Sequence, residues 1–140
     1  MPVKGEPTPE SLQPDRSVAL WPYTSLADSR ITWGERAVLV SATPGPRCKI
    51  GSGPSPGKLG YLLDGHLFTK EIRSAGSGSY PDRGAVAQVF TDEHFCELES
   101  VGEIRRLESG DRSTHREVWS VLSCDDIETA LREVAGETPL

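Results

Sequence analysis

Glycine and proline punctuate this chain so often that most of its segments are long enough only for short strands. Fourteen Gly and eleven Pro are spread over 140 residues, and the pieces between them favour β-branched and aromatic side chains. "VALWPY" is a short apolar segment closed by the turn-like "TSLADSR". "RITWGERAVLVSA" reads as a strand near 29–33 and a stronger one near 36–42, divided by "GER". "YLL" and "HLFTKEI" flank an Asp-Gly pair, a strong short-range hairpin signal. "AVAQVFTD", "HFCELESVGEIRRL" and "RSTHREVWSVL" complete the series, with "ESGD" as a turn before the last. Short strands at regular intervals predict an antiparallel sandwich or barrel.

The C-terminal stretch breaks that pattern. "SCDDIETALREVAG" offers a cap at Ser123 or Asp125, acidic residues in a first turn, and a helix stop at Gly136. Ile127, Leu131 and Val134 recur at i, i+4 and i+7, which predicts a short amphipathic helix over 125–135, laid against a sheet edge or a partner. Residues 1–16 carry four prolines and read as a flexible leader. The organisation expected is therefore leader 1–16, β-domain 17–123 and helix 124–136. Two Gly- and Pro-rich stretches, 43–60 and 74–84, fit either ligand-closing loops or solvated connections, the first with a short strand at "CKI". The solvated reading is the expectation for the first, and whether either closes over a ligand is open.

Charge and cysteine usage exclude several classes. A net charge of −6 with scattered basic residues argues against a nucleic-acid partner, whose binders concentrate Lys and Arg. No apolar run reaches membrane-spanning length. Cys48, Cys96 and Cys124 are odd in number and form no Cys-x-x-Cys pair, which suggests reduced thiols and a cytoplasmic protein. His66 and His94 share no metal-ligand spacing with other donors, so neither a metal nor a cofactor is expected. "GSGPSPGK" lacks the ending and context of a phosphate loop, and no Gly-x-Ser-x-Gly elbow occurs.

Two constellations hold candidate chemistry. Glu97 and Glu99 alternate in "CELES", so both face one side of a strand, roughly 6.5–7 Å apart at a rise of about 3.3 Å per residue. On an open face they are ordinary solvated carboxylates. In a pocket, mutual repulsion and desolvation would raise one pKa and yield an acid and a base. His115, Glu117 and Trp119 alternate in "THREVWS", and an aromatic beside a His and a Glu can receive a sugar ring, although a strand Trp is commonly core.

The run "VFTDEHFCELESVGEIRRLESGDRSTHREVWSVL" resembles the C-terminal half of the galactose mutarotase-like (aldose 1-epimerase-like) β-sandwich proteins, most nearly their uncharacterised bacterial members. The matching elements are Phe90-Thr91, Glu97-Leu98-Glu99, Leu107 with Ser109-Gly110, and His115-Glu117-Trp119; with upstream segments the resemblance spans roughly 18–122. It implies an all-β antiparallel β-sandwich, half of a larger supersandwich, to which the sequence pattern adds one short C-terminal α-helix. It further implies that Glu99 occupies the position of the general base that takes the anomeric proton. Two departures accompany it: the family's acid histidine lies outside the matched region, and "ESG" replaces a turn that normally carries proline. His115 is not that acid.

From these readings we expect a carbohydrate-binding, mutarotase-like domain without independent turnover. Glu99 is its candidate general base, and Glu97, Glu99, His115 and Trp119 are its ligand-binding residues, with Glu97 paired to Arg105 or Arg106. The alternatives are a structural or protein-interaction sandwich with no sugar site, and an epimerase completed across a dimer. Half a sandwich exposes apolar strand edges, so a homodimer is expected.

Overall fold

The computed structural model describes residues 16–35, 37–53, 57–73 and 78–136. The leader 1–16 therefore lies almost wholly outside the described residues, as do 54–56 and 74–77 of the two Gly- and Pro-rich stretches. The fold is all-β and antiparallel, with a sandwich-like arrangement. One sheet has the order β1 (Ser17–Leu20), β4 (Cys48–Gly53), β7 (Ala87–Thr91), β8 (Cys96–Ser100). A second has the order β5 (Lys58–Leu63), β6 (His66–Ile72), β9 (Glu117–Ser123), and β2 (Ile31–Trp33) with β3 (Val38–Val40) forms a separate two-stranded hairpin. Asp64 and Gly65, at φ 46° and 73°, make the tight β5–β6 turn that Asp-Gly announces.

Register explains which side chains meet. Ile50 pairs with Val89 and Val89 with Leu98, so all three share the inward face of the four-stranded sheet. On the three-stranded sheet, Leu59 and Ile72 turn towards them and pack with Tyr80, Val86 and Ala87. Val38 of the hairpin closes over Ile50. Each fully buried Leu or Ile contributes roughly 1.5–3 kcal/mol through removal from water, so this inter-sheet seam is the stabilising core.

Four details depart from the sequence expectations. "CKI" is not a minor strand within a loop: β4 runs from Cys48 to Gly53, largely buried, between β1 and β7. Its glycines, Gly51 and Gly53, are strand residues with neighbours pressed close against them, not loop residues. The strand read through "HFCELESVGEIRRL" stops at Ser100, and the last strand begins at Glu117, leaving 101–116 irregular. His115 thus precedes β9 instead of alternating within it.

The helix, α2 (Ile127–Ala135), follows a four-residue turn α1 (Pro81–Gly84) in chain order. Its cap is Asp126, which accepts from the Thr129 N–H, in place of Ser123 or Asp125. Gly136 ends it in the left-handed conformation, as expected. The helix buries Ala130 and Val134 on the face of the three-stranded sheet, over its edge strand β5, where Ala130 meets Leu67 and Cys124. Ile127, expected on the buried stripe, is half exposed. No described helix is long and apolar enough to cross a membrane.

Candidate functional site

The outward face of the four-stranded sheet carries a polar cluster built by register. Lys49, Phe90 and Glu97 form one cross-strand row, and Gly51, Gln88 and Glu99 the next. Lys49 Nζ donates to Glu99 Oε2 at 2.8 Å and lies 4.8 Å from the centre of the Trp21 ring. Trp21 is placed by the segment after β1: the Thr24 hydroxyl accepts from the Lys49 N–H at 2.8 Å and donates to its carbonyl at 2.7 Å. Phe90 meets Tyr23 edge-on and Phe95 at a tilt, which extends an aromatic border along Glu97.

A second element, the α1 turn, lies over the same face. A Cβ at Gly53 would stand 1.7 Å from the Gly84 carbonyl oxygen, and one at Gly51 would stand 2.7 Å from Ala85 Cβ and 3.3 Å from Trp21. Glycine at both positions is what allows the turn and the indole to sit this close. The turn itself is left-handed at Asp82, Arg83 and Gly84, with φ of 52°, 58° and 85°. Two consecutive non-glycine residues in that region cost on the order of 1–2 kcal/mol each, and such strain concentrates at functional positions. Gln88 Nε2 holds the turn by donating to Asp82 Oδ2 at 2.8 Å and to the Ala85 carbonyl at 3.0 Å.

That leaves two acceptors unanswered. Gln88 Oε1 and Glu99 Oε1 are buried and receive no hydrogen bond while Glu97 is ionised, and they belong to directly paired residues on neighbouring strands. Thr91 Oγ1 is the third such atom among the described residues. A buried acceptor without a donor costs about 1–3 kcal/mol and calls for an explanation. Beside this cluster a cleft of about 170 Å³ is lined by Trp21, Pro22, Asp82 and Arg83 with the end of β1. Partial desolvation raises the Glu97 carboxyl above the usual range; the neighbouring Glu99 adds to that through hydrogen bonding and charge, and Lys49 offsets part of it.

The other sequence candidates lie on the opposite side of β8. Ser100 faces inward and donates to Glu117 Oε1, so His115 Nε2, 2.5 Å away, carries the hydrogen that Ser100 Oγ accepts. Trp119 Nε1 donates to Glu117 Oε2 at 2.7 Å, and Lys70 Nζ lies 3.5 Å from Glu117 while donating to the Leu98 carbonyl at 2.7 Å. Burial pushes the Glu117 carboxyl up, but hydrogen bonds from Ser100 and Trp119 and the Lys70 ammonium outweigh it and hold the group below its usual range. The Ser-His-Glu combination does not have the order of a hydrolytic triad: Glu117 Oε1 accepts directly from the serine hydroxyl and lies 3.8 Å from His115 Nε2.

The four expected ligand residues therefore divide into two pairs. Glu97 and Glu99 share the outward face; His115 and Trp119 share the inter-sheet side, and the strand separates them. Glu97 takes no arginine from 105–106, because Arg105 pairs with Glu103 and Arg106 lies 3.9 Å from Glu108. Among the described residues no histidine hydrogen-bonds to Glu99. Lys49, Gln88, Trp21 and Asp82 complete the site, and sequence reasoning did not find them. Lys49 and Gln88 lie 50 and 11 positions from Glu99, so only the strand order brings them together.

A larger cavity of about 600 Å³ lies between the β2–β3 hairpin, β5, the inward face of β7–β8 and α2. Its walls are mostly aliphatic, including Val38, Leu59, Leu98 and Leu131. Arg30 at its edge is engaged by Asp28, whose carboxyl its hydrogen bonds hold down to about 2. No group of three or more potential metal ligands occurs among the described residues. No family model, no curated protein and no solved structure matches this chain.

Proposed function

We propose that the protein is a carbohydrate-binding domain that holds a small polyhydroxylated ligand on the outward face of its four-stranded sheet, without turning it over. The observation that carries this reading is the pair of buried, unanswered acceptors, Gln88 Oε1 and Glu99 Oε1, beside an indole face. Hydroxyl groups supply donors of that size, and an aromatic face receives the C–H side of a sugar ring. Trp21 is the platform, Glu97, Glu99 and Gln88 accept, and Lys49 and Arg83 donate. The adjoining cleft suits a single ring, being smaller than the ~300 Å³ at which drug-sized pockets begin. This assignment keeps the Glu97–Glu99 pair expected from the mutarotase-like resemblance and replaces Trp119 by Trp21 as the stacking group.

Turnover is left out for a geometric reason. Ring opening needs a base on the anomeric hydroxyl and an acid on the ring oxygen, both within hydrogen-bond reach of one sugar. Glu99 is engaged by Lys49, and His115 lies across the strand.

The test is a thermal-shift screen of free sugars, polyols and sugar phosphates on wild type, Glu99→Gln and Trp21→Ala. A ligand at a hundredfold excess over its dissociation constant stabilises by about 2.7 kcal/mol. Stabilisation of the wild type that both variants lose supports the reading. A full sugar panel that moves no protein overturns it.

A further inference from the structure

We infer that the open edge of β9 pairs with β9 of a second copy of this chain, antiparallel about a twofold axis at Ser120. β9 is the last strand of its sheet, and its partner on the other side is β6. Arg73 N–H donates to the Arg116 carbonyl and Cys124 N–H to the Gly65 carbonyl, so even-numbered residues turn their main-chain groups towards β6. By the alternation of an antiparallel ladder, Trp119 and Val121 present theirs to the open edge.

The sequence of that edge lacks the charged residues and proline that keep strands apart. Between Glu117 and Asp125 there is no Asp, Glu, Lys, Arg or Pro. Val118 and Leu122 on one face are 42% and 40% exposed, and Trp119 and Val121 on the other are 63% and 66% exposed. A twofold axis normal to the sheet maps each face onto itself, so residue i can pair only with a residue of the same parity. Centring on Ser120 sets Trp119 against the second copy's Val121 and Val118 against its Leu122, so every large apolar side chain meets another. An aromatic–β-branched pair of this kind is a favourable cross-strand match. Centring on Trp119 or Val121 instead sets apolar residues against serines.

Charge supports the same register. The chain carries −6, so two copies repel in general, yet this register sets Glu117 of one copy against Ser123 of the other and Arg116 against Cys124, so no like charges meet. Centring on Val121 would set Glu117 against Asp125. The exposed parts of the four apolar side chains come to roughly 400 Å² per copy, about half of the ~800 Å² per partner of a standard interface. The dimer is accordingly a concentration-dependent one.

The experiment is light scattering on the full chain from about 1 to about 200 µM, the range in which an interface of this size associates. The mass should climb from 15.2 kDa towards twice that value. Val121→Lys, at an exposed site, should stay monomeric with an unchanged melting temperature. Ser120→Cys should oxidise to a disulfide-linked dimer joined through position 120 of both copies, identified by peptide mass spectrometry. Directly opposed residues in a non-hydrogen-bonded pair lie about 4.5 Å apart at Cα, within disulfide reach. Ser109→Cys, in the exposed turn, is the control that should not cross-link. A wild type that stays at 15.2 kDa throughout overturns the inference. So does a dimer that survives Val121→Lys, or one in which Ser120→Cys never cross-links.

Discussion

Two polar clusters sit back to back on β8, and they differ in how completely their atoms are answered. On the inward side, Ser100, His115, Glu117, Trp119 and Lys70 close on one another, and Glu117 alone receives from a hydroxyl and an indole beside an ammonium. On the outward side, Lys49 satisfies one oxygen of Glu99 while the other, and the paired Gln88 oxygen, go without. A closed network of this kind holds two sheets together with its hydrogen bonds already made. An open one costs stability and is kept where something else completes it.

Removing a member of each cluster should show the contrast most strongly. Glu117→Gln leaves the Lys70 ammonium, largely buried against Leu98, without its counter-charge; the expected loss is about 2–3 kcal/mol in urea unfolding at pH 7. The pH dependence has a definite sign. The folded carboxyl titrates below its unfolded value, so its contribution is present above about pH 4.5 and fades as pH falls through the folded pKa. Wild type and Glu117→Gln should therefore converge in acid, and a constant gap down to the acid limit would contradict the closed-network view.

A steric probe comes next. Gly51→Ala would place a methyl group 2.7 Å from Ala85 and 3.3 Å from Trp21, and overpacking of this kind costs about 1–3 kcal/mol. It should also displace the indole and abolish any sugar-dependent shift in melting temperature. If melting falls but the sugar response persists, Trp21 is not the platform.

Arg83→Gly tests the strain at α1 in the opposite direction. Glycine adopts φ near 58° without the Cβ penalty, so stability should rise by about 1 kcal/mol while ligand response weakens. A stability gain with an unchanged ligand response would make the left-handed turn a packing feature only.

The smallest effect is expected at Glu97→Gln. The folded Glu97 carboxyl titrates above its unfolded value, so ionising it destabilises the fold as pH rises through that window. The variant should exceed wild type by a few tenths of a kcal/mol at pH 7, the exposed site being screened. The two should match below pH 4, where both carry a neutral side chain, and equal melting curves at both values would remove Glu97 from the open cluster.

Much of the fold can be read along the chain because strand periodicity and turn chemistry are local. Asp64-Gly65 makes its hairpin, Gly136 stops its helix, and Glu97 and Glu99 share a face as alternation requires. The site is a different matter. Trp21, Lys49 and Gln88 reach Glu99 only through the order β1-β4-β7-β8, which no local signal encodes. The Gly-rich "KIGSG" reads as loop for the same reason: its glycines make room for a turn that is distant in sequence. His115 lies two residues ahead of Glu117, where β9 begins, yet it meets Ser100 on the same side as Glu117 and Trp119, so the alternation read from the sequence carries past the end of the strand.

Strand β8 also limits how this domain could diverge. Its five residues feed both clusters by simple alternation, Glu97 and Glu99 to one side and Leu98 and Ser100 to the other. A single inserted or deleted residue would turn the acidic pair into the apolar seam and push leucine into water. Length changes within the strand are thus tolerable only in steps of two, whereas the exposed 105–114 stretch has room to lengthen. Natural or laboratory variation should accumulate there, leaving β8 as a ruler that keeps the two chemistries apart.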